Sequence, residues 1–96
     1  MKKSYKRTEL QWRIKDCLNN NYKVKVNSCI VNPYAQSMVA ITATGANRQN
    51  MPWMAKRILD RYPQITMVQF PGFVTNVFTK NTLMWGGYYT KINNKK

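Results

Sequence analysis

The sequence predicts an α+β fold: one small domain with elements in the order α-β-β-α-β-β, a mostly antiparallel sheet and two helices on one of its faces. Three observations lead there. Two segments carry apolar residues at helical spacing, the segments between them alternate with period two or are β-branched and aromatic, and the chain is the length of one domain. With 96 residues, 44% of them hydrophobic and including three Trp, six Tyr and three Phe, the chain has material for one core.

From about Thr8 to Leu18, Leu10, Ile14, Cys17 and Leu18 recur on one helical face, and Thr8 with Gln11 three residues on has the form of a capping box. Asn19-Asn20-Asn21 reads as the break after this helix. Tyr22, Val24 and Val26 then alternate with Lys23, Lys25 and Asn27, the pattern of a strand with one face in water. After a turn at Asn32-Pro33-Tyr34, a second strand fits Met38 to Thr44, and the two should pair as an antiparallel hairpin.

A polar loop, Gly45 to Asn50, leads to Pro52, which suits a helix's first turn. Met54, Ala55, Ile58, Leu59 and Tyr62 form a continuous apolar stripe that ends at Pro63. The segments Ile65–Phe70, Phe73–Thr79 and Leu83–Ile92 are strand-like, separated by Pro71-Gly72 and Lys80-Asn81. The basic ends, about 1–7 and 93–96, are expected to be flexible.

Charge points to the class of partner. Sixteen Lys and Arg face only Glu9, Asp16 and Asp60, giving a net charge of +13 and a pI near 10.2. Since 20% of the residues are charged, the imbalance comes from missing acids more than from surplus bases. Such a surface calls for a polyanion, and a phosphate backbone is the densest regular one.

Enzymatic readings fail on inventory. The chain has no His, so it lacks an imidazole base and any His-assisted metal site, and Cys17 and Cys29 cannot complete a zinc site alone. The three acids are too dispersed to hold a catalytic metal pair. No catalytic residue, metal or cofactor is expected, and the two thiols are expected to stay reduced. No run of 18 apolar residues occurs and the start lacks a signal-peptide core, so the expectation is a cytoplasmic protein without a membrane partner.

The expected function is therefore non-enzymatic binding of single-stranded DNA or RNA with little sequence specificity. Phosphate contacts would come from Lys23, Lys25, Arg48, Lys56, Arg57 and Arg61, and base stacking from Trp53, Tyr34 and Tyr89. Trp53 falls off the apolar stripe of the second helix, one turn before Arg57, and is expected either to stand exposed beside the basic residues as a stacking platform or to staple the start of the helix onto the sheet. The alternative is a small inhibitor or assembly factor that docks its basic face on an acidic protein, anchored by a contiguous apolar patch. The aromatic C-terminal strands also offer a surface for self-association.

Overall fold

A computed structural model describes residues 5–72 and 75–81. The elements follow in the order α1 (Arg7–Asn21), β1 (Lys25–Val31), β2 (Met38–Thr44), α2 (Met51–Arg61), β3 (Met67–Phe70) and β4 (Asn76–Phe78). This is the α+β arrangement expected from the sequence, and β2 has the bounds the sequence indicates. The strand-like segment Leu83–Ile92 lies outside the described residues.

The sheet is mixed and runs in chain order, β1-β2-β3-β4. The β1–β2 and β3–β4 pairs are antiparallel, whereas β2 and β3 pair in parallel, with α2 as the crossover between them. Val31, Val39, Val68 and Phe78 stand in one row across all four strands, and all are buried. Both helices lie on that face. Leu10, Ile14 and Leu18 of α1 and Met54, Ala55, Ile58 and Leu59 of α2 join the strand residues in a single core cluster. Fully burying such aliphatic side chains contributes about 1.5–3 kcal/mol each before entropy is counted. Among the described residues no helix is long and apolar enough to cross a membrane.

β1 departs from simple alternation for a definite reason. A bulge between Val26 and Ser28 leaves Asn27 without a partner in the register. This extra residue shifts the period by one, so Val26 and Val31 both face the core although five residues apart; a regular strand would turn Val31 to the other face. Asn27 donates its amide to Thr44 Oγ1 at 3.0 Å, which holds the bulge against β2.

Two expectations for α1 need correction. The helix does not stop before Asn19; it continues through Asn21, because the asparagine side chains find partners in the folded structure. Asn20 donates to Asp16 at 3.2 Å, Asn21 donates to the Cys17 carbonyl at 2.7 Å, and Asn19 Oδ1 accepts the Val26 N–H at 2.9 Å. The Thr8–Gln11 capping box does not form either, since the N-cap is Lys6 and has no side-chain cap bond. Gln11 Oε1 instead accepts the Val31 N–H at 2.9 Å and Arg7 Nη1 at 3.0 Å, while Arg7 Nη1 also reaches the Val31 carbonyl at 3.2 Å. Through Arg7, Gln11 and Asn19, α1 satisfies backbone groups of β1 that do not pair with β2, which blunts a sheet edge otherwise open to pairing.

The end of the N-terminal arm is also held. Gln64 accepts the Tyr5 N–H at 2.9 Å and donates to the Tyr5 carbonyl at 3.1 Å. The Tyr5 ring meets Tyr62 edge-on at 6.2 Å, with the Arg13 guanidinium 4.4 Å from its centroid. These contacts fix residues 5–7, where the sequence suggested a loose arm.

Gly45 follows β2 with φ +97°, and a Cβ there would stand 2.7 Å from the Lys23 carbonyl oxygen, so this turn needs glycine. Both cysteines are free; Cys17 is buried and Cys29 half-buried. Burial pushes the Cys29 thiol from 9.0 up to about 12, against a smaller pull from Lys15.

Gln11→Ala should cost about 1–2 kcal/mol in urea unfolding, because the Val31 N–H loses its acceptor. Gln11→Glu should be tolerated, since an acceptor oxygen remains beside Arg7; equal losses for both variants would show that the side chain only fills space. The raised Cys29 value means that stability from this group is complete below pH 9 and is lost as pH rises from 9.0 towards about 12, because the unfolded thiol ionises first. Comparing urea unfolding at pH 8 and pH 10, Cys29→Ala should decline less than the parent, and an identical decline would refute the assignment.

Candidate functional site

The helices run antiparallel, and each is tied to the other through the residue that ends it. Tyr22, the C-cap of α1, donates its hydroxyl to the Trp53 carbonyl in the first turn of α2 at 3.2 Å. Tyr62, the C-cap of α2, reaches the Arg13 carbonyl of α1 at 3.4 Å, a longer and weaker contact. Between these ties the helices leave a groove on the side away from the sheet.

The groove consists of two hollows. The first, of about 430 Å³, is lined by Tyr22, Trp53, Lys56, Arg57, Asp60 and Arg61. The second, of about 270 Å³, includes Trp12, Arg13, Asp16, Asn20 and again Arg57 and Arg61. Arg57 and Arg61, four residues apart and so one above the other on α2, therefore stand between the hollows. Each hollow has one tryptophan.

Local contacts explain how the cations are held. Arg57 Nε donates to the Tyr22 hydroxyl at 3.1 Å, and this hydrogen bond raises the Arg57 pKa above the usual guanidinium value. The same hydroxyl thus accepts from Arg57 and donates to Trp53. Lys56 pairs with Asp60 at 2.8 Å and Arg13 with Glu9 at 2.9 Å, both exposed i, i+4 pairs of the kind that contribute little stability. Among the described residues neither Arg57 nor Arg61 has a carboxylate partner. Burial raises the Tyr62 phenol above its ordinary value, opposed by Arg61.

The structure brings together Trp53, Lys56, Arg57 and Arg61 from the sequence-derived set. Trp53 is half-buried and not fully exposed: part of it packs against the core and part lines the first hollow. Lys23, Lys25 and Arg48 are exposed and gather at the end of the domain that leads into α2. Lys25 pairs with Thr44, the backbone of Gly45 packs on that of Lys23, and Arg48 lies in the following loop. Tyr34 is 96% exposed at the tip of the β1–β2 hairpin and lines neither hollow. An Asx turn holds it there: Asn32 Oδ1 accepts the Tyr34 and Ala35 N–H groups. The hairpin tip is about 20 Å along the strands from Lys25. Tyr89 lies outside the described residues.

Among the groove residues outside the sequence-derived set are the aromatics Trp12 and Tyr22 and the cation Arg13, with Asp16 and Asn20 beside them. Trp12 is 61% exposed, and Arg13 lies beside it with its guanidinium 5.9 Å from the ring centroid. The available signal was that neither belongs to the apolar face Leu10, Ile14, Cys17 and Leu18, which leaves an aromatic and a cation side by side on the solvent face. No protein-family model, curated protein or solved structure matches this chain.

Tyr22→Phe should lower stability by about 0.5–1.5 kcal/mol in chemical denaturation, since one hydroxyl serves two partners. If the hydroxyl positions α2, combining it with Arg57→Ala should cost less than the sum of the single changes; strict additivity would show that the two groups act independently.

Proposed function

We propose that the groove between α1 and α2 binds single-stranded nucleic acid without catalysis. Phosphate would lie on Arg57 and Arg61, and bases would enter the hollows beside Trp12 and Trp53. One observation carries this reading: two arginines without carboxylate partners among the described residues separate two hollows, each with one tryptophan. A strand alternates phosphate and base along its length, and the groove alternates cation and ring in the same way. Base–aromatic stacking contributes about 1–3 kcal/mol per base and needs a base free of its duplex partner, which favours single strands.

Lys23, Lys25 and Arg48 extend the positive surface past the Trp53 end of the groove, where they would attract the flanking backbone. The separation of the rings weighs against the acidic-protein alternative, which wants one contiguous apolar anchor beside the cations. A small basic domain of this kind would gain stability on binding, because the polyanion relieves its self-repulsion.

Fluorescence anisotropy with labelled single strands tests the proposal. With four to six phosphate contacts, the logarithm of affinity should fall against the logarithm of salt with a slope of about −3 to −4. Arg57→Ala with Arg61→Ala should make the slope shallower by about 1.4. Trp53→Ala should weaken single strands by about 1–3 kcal/mol while hardly affecting duplex. A slope near zero, or groove variants that bind like the parent, would refute the site.

A further inference from the structure

The two hollows are not chemically alike. Of the three acids, Glu9 pairs with Arg13 and Asp60 with Lys56, whereas Asp16 forms no ion pair among the described residues. Its one hydrogen bond there is a neutral one, from Asn20 Nδ2 at 3.2 Å. Asp16 lines the second hollow, as do Asn20, Trp12, Arg57 and Arg61. In a groove for a polyanion a carboxylate repels every phosphate equally, so its presence weakens binding unless it recognises something else. A carboxylate offers about four acceptor sites, and Asn20 occupies one. What remains is an acceptor set beside an aromatic ring, with two arginines at the phosphate position.

Resting on the reading of the groove as a single-strand site, we infer that Asp16 is a specificity-determining residue, which makes the second hollow accept bases with an exocyclic amino group and reject thymine and uracil. Cytosine presents its N4 amino hydrogens to a carboxylate, and adenine its N6 amino hydrogens. Thymine and uracil present the O4 carbonyl at the corresponding position, so acceptor would face acceptor there and only the single N3–H beside it is left to meet the carboxylate, a repulsive contact that the amino bases do not have. The first hollow differs in that the charge of its carboxylate, Asp60, is offset by Lys56 at 2.8 Å, whereas Asp16 has only a neutral partner among the described residues. The groove would then read one base while gripping its neighbour by stacking alone.

Oligo(dC) and oligo(dT) of equal length give the cleanest test, since both carry one pyrimidine ring per phosphate and differ in the amino or carbonyl group at position 4. In anisotropy titrations at one salt concentration, the parent should bind oligo(dC) about tenfold more tightly than oligo(dT). Asp16→Asn should bring the two within about twofold, chiefly by strengthening oligo(dT), because the amide can donate to O4 and carries no charge. Trp53→Ala, acting in the other hollow, should weaken both and leave their ratio unchanged, and melting curves of each variant confirm that it is folded. The inference is overturned if the parent shows no preference for oligo(dC), or if Asp16→Asn tightens both oligonucleotides by the same factor, in which case Asp16 is merely a negative charge. If neither oligonucleotide binds, the single-strand reading fails along with it, a result distinct from binding without preference.

Discussion

The arrangement of the cationic groove depends on one phenol. Each helix packs on its own part of the sheet, α1 on β1 and α2 on β3, over one shared apolar core. Tyr22 ties the helices together at one end by donating to the Trp53 carbonyl and accepting from Arg57, and Tyr62 ties them at the other with a longer contact to Arg13. A hydroxyl bond of this kind adds only about 1 kcal/mol to stability. Its importance is geometric: it holds the Arg57 guanidinium and the backbone of the first turn of α2, at the Trp53 carbonyl, on one oxygen beside the hollows that Arg57 lines.

Charge sets the second constraint. A net charge of +13 on 96 residues works against compaction, and the three acids do little to offset it, since the two that form ion pairs do so within their own helices on the surface. The fold tolerates the repulsion because cations occupy helix faces turned away from the core and because the described core contains no buried charged or polar residue. Arg7 goes further and is used structurally, covering the Val31 carbonyl at the edge of β1. Among the described residues, Arg57 and Arg61 line the groove and Lys23, Lys25 and Arg48 stand at the Gly45–Asn50 end, while Lys6, Lys15 and Lys80 lie outside both.

The parts of the fold legible in the sequence are those determined by local periodicity. The stripe Met54, Ala55, Ile58, Leu59, Tyr62 is buried as its spacing demands, and β2 alternates between core and solvent as written. What the sequence hid depends on which groups find partners once the chain is folded. Asn19, Asn20 and Asn21 favour a break in isolation, yet they stay helical because the Val26 N–H and other local groups bond their side chains. The bulge at Asn27 and the parallel β2–β3 pair likewise follow from tertiary fit and leave no periodic trace. For the groove, the α2 residues were visible because they share one helix, while Trp12, Arg13 and Tyr22 join them only once α1 is laid alongside. Tyr34 looked equivalent to Trp53 as an unassigned aromatic, but the Asx turn at Asn32 holds it on the hairpin tip, away from both hollows.

Photocrosslinking addresses the central claim by location and not by affinity. A single-stranded oligonucleotide irradiated in complex with the protein, followed by mass-spectrometric mapping of the adducts, should mark Trp12, Tyr22 and Trp53, the rings that line the groove. Adducts confined to Tyr34 at the hairpin tip, or no adducts at all under conditions where the oligonucleotide is bound, would place the contact elsewhere and remove the interhelical groove from the account.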